Sequence, residues 1–267
     1  MPASTPEARR AFASATDVAL ALMVVVVAAS ASIRFSLAAD PAAALPVARG
    51  LHRAAASFTA AAVLVLAILA LRDRALRAQI GIPAAAALVL TLALSALGVA
   101  TGTTPPPLAQ FANLFGGIAL LALLAWLAGL ARGHAKAPFA DANTFTRLAR
   151  LALGFGVVQA ALGAALATLW TPSNAIALSA HLLTGLTTAA LAIALGIRLA
   201  AARKSIGVGL VAAAMLAPVA GTVSALLDLS PFAALVHPLC GAATLALLAR
   251  INGRCAAQRQ SASPIEA

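Results

Sequence analysis

Apolar residues run through this chain in long stretches broken by short polar segments. Eight such runs stand out, at roughly 17–38, 51–72, 79–101, 110–131, 148–169, 176–200, 206–227 and 234–251. Each approaches the ~20 residues a helix needs to cross the hydrocarbon of a bilayer, where backbone groups must bond within the segment. Ala and Leu fill most positions, and small residues let helices approach closely. Thr104-Pro105-Pro106-Pro107 reads as a turn between the third and fourth runs. The pattern predicts an all-α integral membrane protein with eight transmembrane helices.

Composition agrees. The 267 residues are 63% hydrophobic and 9% charged, with a mean hydropathy of +1.00. Soluble domains carry about 25% charge, so a soluble enzyme, a disordered chain and a nucleic-acid-binding module are excluded. The net charge of +11 lies between the apolar runs, which points to membrane lipid as the partner.

The charges also predict sidedness. Fifteen basic residues fall before the first run, after the eighth, or in the second, fourth and sixth connections, from Arg9 and Arg10 to Arg254 and Arg259. Only Arg34, Arg49 and Arg53 fall on the other side. Positive residues stay inside, so both termini are expected in the cytoplasm, in a membrane of the bacterial cytoplasmic (inner) type. Ala29-Ser30-Ala31 has the small residues of a signal-peptide cleavage site. Cleavage would leave the new N-terminus outside, so the first span is expected to be retained.

The chain divides at 133–146, and its halves can be laid over each other. His52 precedes Thr59-Ala60-Ala61 by seven residues, and His181 precedes Thr188-Ala189-Ala190 by seven. Asn113 to Ala125 aligns with His237 to Ala249, with Gly117 on Gly241, Ala119 on Ala243 and the closing Ala-Leu-Leu-Ala in register. Asn113 thus takes the place of His237. The expected organisation is a cytoplasmic tail (1–16), a four-helix bundle (17–132), a cytoplasmic linker (133–146), a second bundle (147–251) and a cytoplasmic tail (252–267).

Few residues remain to carry chemistry. There is no Tyr, and Cys240 and Cys255 make no disulfide framework. Of four histidines, His134 reads as a solvated loop residue. His52, His181 and His237 lie near the outer ends of their spans, where an imidazole is costly unless paired or ligating. A haem iron takes two axial imidazoles from facing helices of a bundle, and His181 and His237 meet that need. The competing reading is a histidine bonded to a neighbouring carbonyl.

In the first half His52 faces Asn113, an amide that does not replace imidazole. That leaves an open iron position, another ligand, or no haem. Arg34 and Arg53 suit haem propionates, or else snorkel to the interface. Gln159 reads as a bond between helices or to a porphyrin. Cys240, one turn from His237, reads as a small apolar filler or a pocket wall. Trp126 and Trp170 read as interfacial anchors.

Taken in order, several stretches resemble the haem A synthase family: Ser32-Ile-Arg34-Phe-Ser36-Leu, His52-Arg53, Val158-Gln159-Ala-Ala-Leu162-Gly163, Ala180-His181-Leu-Leu and Val236-His237-Pro-Leu. The resemblance spans about 17–251. It implies oxidation of the C8 methyl of haem O to the formyl of haem A, for terminal oxidases. A haem b in the second half, on His181 and His237, would relay electrons. His52 would be the surviving ligand of the substrate haem in the first half. Implied partners are haem O, an electron donor, haem O synthase or a terminal oxidase, and a further copy of the chain; nucleic acid is not among them.

The chain departs from the family at three points. Asn113 stands at a histidine position. Arg49 stands where the family has a glutamate three residues before its histidine, and the outer acids are Asp40 and Asp228 instead. The cysteine pair of the first outer loop is missing. Two alternatives stay open: a non-catalytic haem b-binding relative serving oxidase assembly, haem handling or electron transfer, and a cofactor-free transporter.

Overall fold

The computed structural model describes residues 5–40, 45–102, 104–133, 142–170, 174–202, 204–226 and 231–262. His134, Lys136, Arg203 and Asp228 lie outside the described residues, as does most of the expected linker. The described elements are eight α-helices: α1 (Pro6–Ala39), α2 (Pro46–Arg72), α3 (Arg74–Thr101), α4 (Pro107–Arg132), α5 (Ala142–Thr168), α6 (Ala175–Ala201), α7 (Ser205–Leu226) and α8 (Pro231–Ala262). All eight are long and apolar enough to cross a membrane. Large apolar side chains such as Val47, Ile82, Val99 and Ile176 are more than four-fifths exposed. Lipid accounts for such a surface, and water does not. The chain is a multi-pass membrane protein.

Two helices outrun their hydropathy. Residues 6–16 and 252–262, expected as parts of the tails, are helical. At the first end, the Thr5 side chain accepts from the Ala8 N–H and Pro6 pre-sets the first turn. Phe12 and Thr16 are fully buried there. Arg9 donates to Gln79 Oε1 on α3 at 2.8 Å, and Arg132 pairs with Asp17. At the other end Cys255 and Ala257 are buried. Charge ends an apolar run, but a helix continues while its backbone is bonded and one face is covered.

Each helix neighbours the next within a half, and each half closes on itself: α1–α2–α3–α4–α1, and α5–α6–α7–α8–α5. In each ring the even helices stand diagonally. The halves meet chiefly along α4 and α8. That crossing is built on glycine. A Cβ on Gly129 would overlap the Arg250 carbonyl oxygen, one on Gly253 the Trp126 carbonyl oxygen, and one on Gly133 the Ala257 Cβ. Gly129-x-x-x-Gly133 and Gly253-x-x-x-Ala257 face each other, the small-residue spacing that lets two membrane helices touch backbone to backbone. Trp126 is half-buried within this contact and packs on the first-half core. Trp170 is 40% exposed.

Buried Asn252 ties α8 to α5, its amide donating to the Ala149 carbonyl at 2.8 Å and to its own helix at Leu248. Asn252→Ala is expected to cost about 1 kcal/mol in thermal unfolding of the purified protein. An unchanged melting temperature would show this tie to be idle.

Candidate functional site

The three described histidines share a register. His52, His181 and His237 are each the seventh residue of their helix, on α2, α6 and α8; Asn113 is the seventh of α4. A proline or an Asn N-cap starts each of these helices, so all four side chains lie about a turn and a half from a helix start.

The second ring brings two of them together. The His181 and His237 rings lie with centroids 6.1 Å apart at an interplanar angle of 71°. They reach each other from diagonal helices, so the pair sits across the middle of the ring. Buried apolar residues resume on α6 at Ala189 and on α8 at Ala242, eight and five residues further on.

The odd helices hold the imidazoles. His237 Nδ1 lies 2.7 Å from the Ala217 carbonyl of α7. A carbonyl only accepts, so Nδ1 carries the hydrogen, which in the neutral ring leaves the lone pair on Nε2. Pro218 follows Ala217 and cannot donate back along the helix, which loosens α7 at this turn. Gly221, one turn further on, makes room for the ring: a Cβ there would lie 2.8 Å from His237 Nδ1.

His181 is held from α5. Its Nε2 lies 3.3 Å from Gln159 Nε2, and a Cβ on Gly163 would lie 3.0 Å from its Cε1. Gln159 and Gly163 are one turn apart, so one face of α5 both bonds the ring and leaves space for it. Thr184 Oγ1 lies 2.6 Å from Gln159 Oε1 and 2.7 Å from the Ala180 carbonyl. One hydroxyl hydrogen serves those two acceptors in turn. A Cβ on Gly185 would crowd the Gln159 amide at 2.8 Å. His181 Nδ1 is buried with no partner. Cys240, one turn from His237, is half-buried.

The first ring makes no such pair. His52 is half-buried and donates from Nδ1 to the Val26 carbonyl of α1 at 3.3 Å. Asn113 is exposed, and no hydrogen bond joins it to His52. Arg34 donates to Ser30 Oγ in its own helix at 3.0 Å. Arg53 is exposed and Arg49 half-buried. Among the described residues, no group of three or more His, Cys, Asp or Glu converges on one point.

Sequence reasoning singled out Gln159 but not its partner. It missed Thr184, Gly185, Gly221 and the Ala217 carbonyl. The glycines carried a signal, since Gly163 stands one turn from Gln159 in a span otherwise rich in Ala and Leu. The contacts of Gly221 and the aim of a backbone carbonyl have no sequence signature. In comparison with known proteins, the chain matches no family model and no curated protein.

Proposed function

We propose that this is a membrane haem protein of the haem A synthase type, with a haem b held by His181 and His237. One observation carries the reading: the two imidazoles lie 6.1 Å apart across the middle of a four-helix ring. Two imidazoles on one metal, at bonds of about 2 Å, have ring centres roughly 6 Å apart. The surroundings support it. A ligating histidine usually gives its other N–H to a carbonyl or carboxylate, as His237 does to Ala217. At His181 the Gln159 amide nitrogen donates to Nε2, so that amide would turn aside for the ring to ligate. Haem b bound there supplies a one-electron carrier. The chain's own work is to orient the His237 ring through the Ala217 carbonyl and to clear space for both rings at Gly163 and Gly221.

The shared seventh-residue register supports the internal repeat, and the fifteen-to-three charge asymmetry supports both termini in the cytoplasm of a bacterial-type inner membrane. In the full reading His52 ligates haem O, the substrate, in the first half, and an electron donor and a terminal oxidase are the partners. Co-expression with a haem O supply tests this. Haem A is expected in extracts of the purified protein with that supply and not without it. A protein that binds no haem sinks the proposal.

A second reading is favoured by two observations: Asn113 is exposed, and Arg49 occupies the glutamate position. In it the second half alone binds haem b, serving oxidase assembly or electron transfer without methyl oxidation. Haem b with no haem A in the same extracts is its expected signature.

A further inference from the structure

The α4–α8 crossing ends in three arginines. Arg132 closes α4, and Arg250 and Arg254 lie one turn apart on α8. Glycine brings their backbones together: a Cβ on Gly133 would lie 3.1 Å from Arg254 Cα, and one on Gly129 3.0 Å from Arg254 N. Arg254 accordingly feels the charges of both Arg250 and Arg132. One nitrogen of this cluster is well used, since Arg132 Nη2 bonds Asp17 and reaches the Ala13 carbonyl at 3.4 Å. Arg132 Nη1, Arg250 Nε and Arg254 Nε are buried and without a hydrogen-bond partner among the described residues. Among the described residues Asp17 pairs with Arg132, and no carboxylate pairs with Arg250 or Arg254.

A guanidinium stays charged at any biological pH. Its buried donors therefore call for acceptors from outside the chain. Arg132 ends α4, and Arg250 and Arg254 stand within α8 where its apolar run stops, the point at which a membrane helix meets lipid headgroups. We propose that this cluster binds a phosphate-bearing anion between the two halves. A phosphodiester or phosphate offers several acceptor oxygens and the negative charge the site lacks, and basic pockets between membrane helices take anionic headgroups in this way.

The test is a thermal-unfolding titration of the full chain in detergent with phosphatidylglycerol, phosphatidylcholine or inorganic phosphate. Phosphatidylglycerol is expected to raise the melting temperature, and phosphatidylcholine to leave it unchanged. The same rise with inorganic phosphate assigns the site to a free anion; a rise with phosphatidylglycerol alone assigns it to lipid. Arg250→Gln and Arg254→Gln should each move the midpoint roughly fivefold to weaker binding, and Arg77→Gln, an exposed arginine on α3, should not. Should the glutamine variants fail to fold, Arg250→Lys with Arg254→Lys keeps the charge but loses the planar fork, and a weaker midpoint is again expected. No response to either phosphate compound overturns the proposal, as does an unchanged midpoint in the arginine variants.

Discussion

Replacing His181 or His237 with alanine is expected to abolish the reduced-minus-oxidised spectrum of the haem b proposed for the second half. Both rings meet at one point, and an alanine leaves no donor there. His52→Ala should leave the signal intact, because His52 bonds α1 in the other half. The neighbours of the rings give a graded result. Gly221→Ala places a Cβ 2.8 Å from His237 Nδ1 and disturbs its bond to the Ala217 carbonyl, and such outer contacts are worth 10- to 100-fold in metal affinity. About a tenfold loss of haem affinity is therefore expected, with the bis-imidazole spectrum kept at saturation. A bis-imidazole signal that survives His181→Ala would rule out this pair as the ligands.

The second large effect lies at the crossing of the two halves. Gly253→Leu is expected to lower the melting temperature by about 10 °C or to prevent folding. A Cβ at this position would overlap the Trp126 carbonyl and lie 3.0 Å from Leu130 N. Both are backbone atoms of a helix, which cannot turn aside as a side chain can. The contact is reciprocal, since Gly129 meets the Arg250 carbonyl in the same way, so relief at one point needs the whole crossing to open. Gly154→Leu is the control. It adds equal volume to exposed Gly154 on α5, where a Cβ would meet nothing within 4 Å. Equal melting temperatures for the two variants would show that this crossing does not hold the halves together.

Both results bear on how much could be read in advance. The eight spans were legible because lipid demands some twenty apolar residues in sequence, and that demand is local. The helix starts at Pro6 and the extension to Ala262 were not, because Arg9, Arg10, Arg250 and Arg254 break the apolar run while the backbone bonds go on. Trp126 illustrates the same limit. Nothing in its indole announces that its backbone carbonyl packs on Gly253 of the other half.

The candidate site divides in a similar way. His181 and His237 were recognisable as unusual, since each is a costly group near the end of an apolar span, in a chain with four histidines. Gln159 stood out for the same reason. That Gln159 bonds His181, that Ala217 turns its carbonyl to His237, and that Gly163 and Gly221 clear space for the two rings all depend on which helix faces come together. Asn113 shows the converse. Its aligned position matched His237, but its side chain is exposed.

By itself, the amino-acid sequence determined the number of spans, the asymmetry of charge across them and the short list of groups able to do chemistry. These follow from transfer between water and lipid, which acts residue by residue along the chain. Tertiary structure alone decided which imidazoles meet, which glycines are contacts and which arginines cluster. Those outcomes depend on the rotation and crossing of helices far apart in the chain. In spans made mostly of Ala and Leu, many faces look alike, and only close backbone approach selects among them.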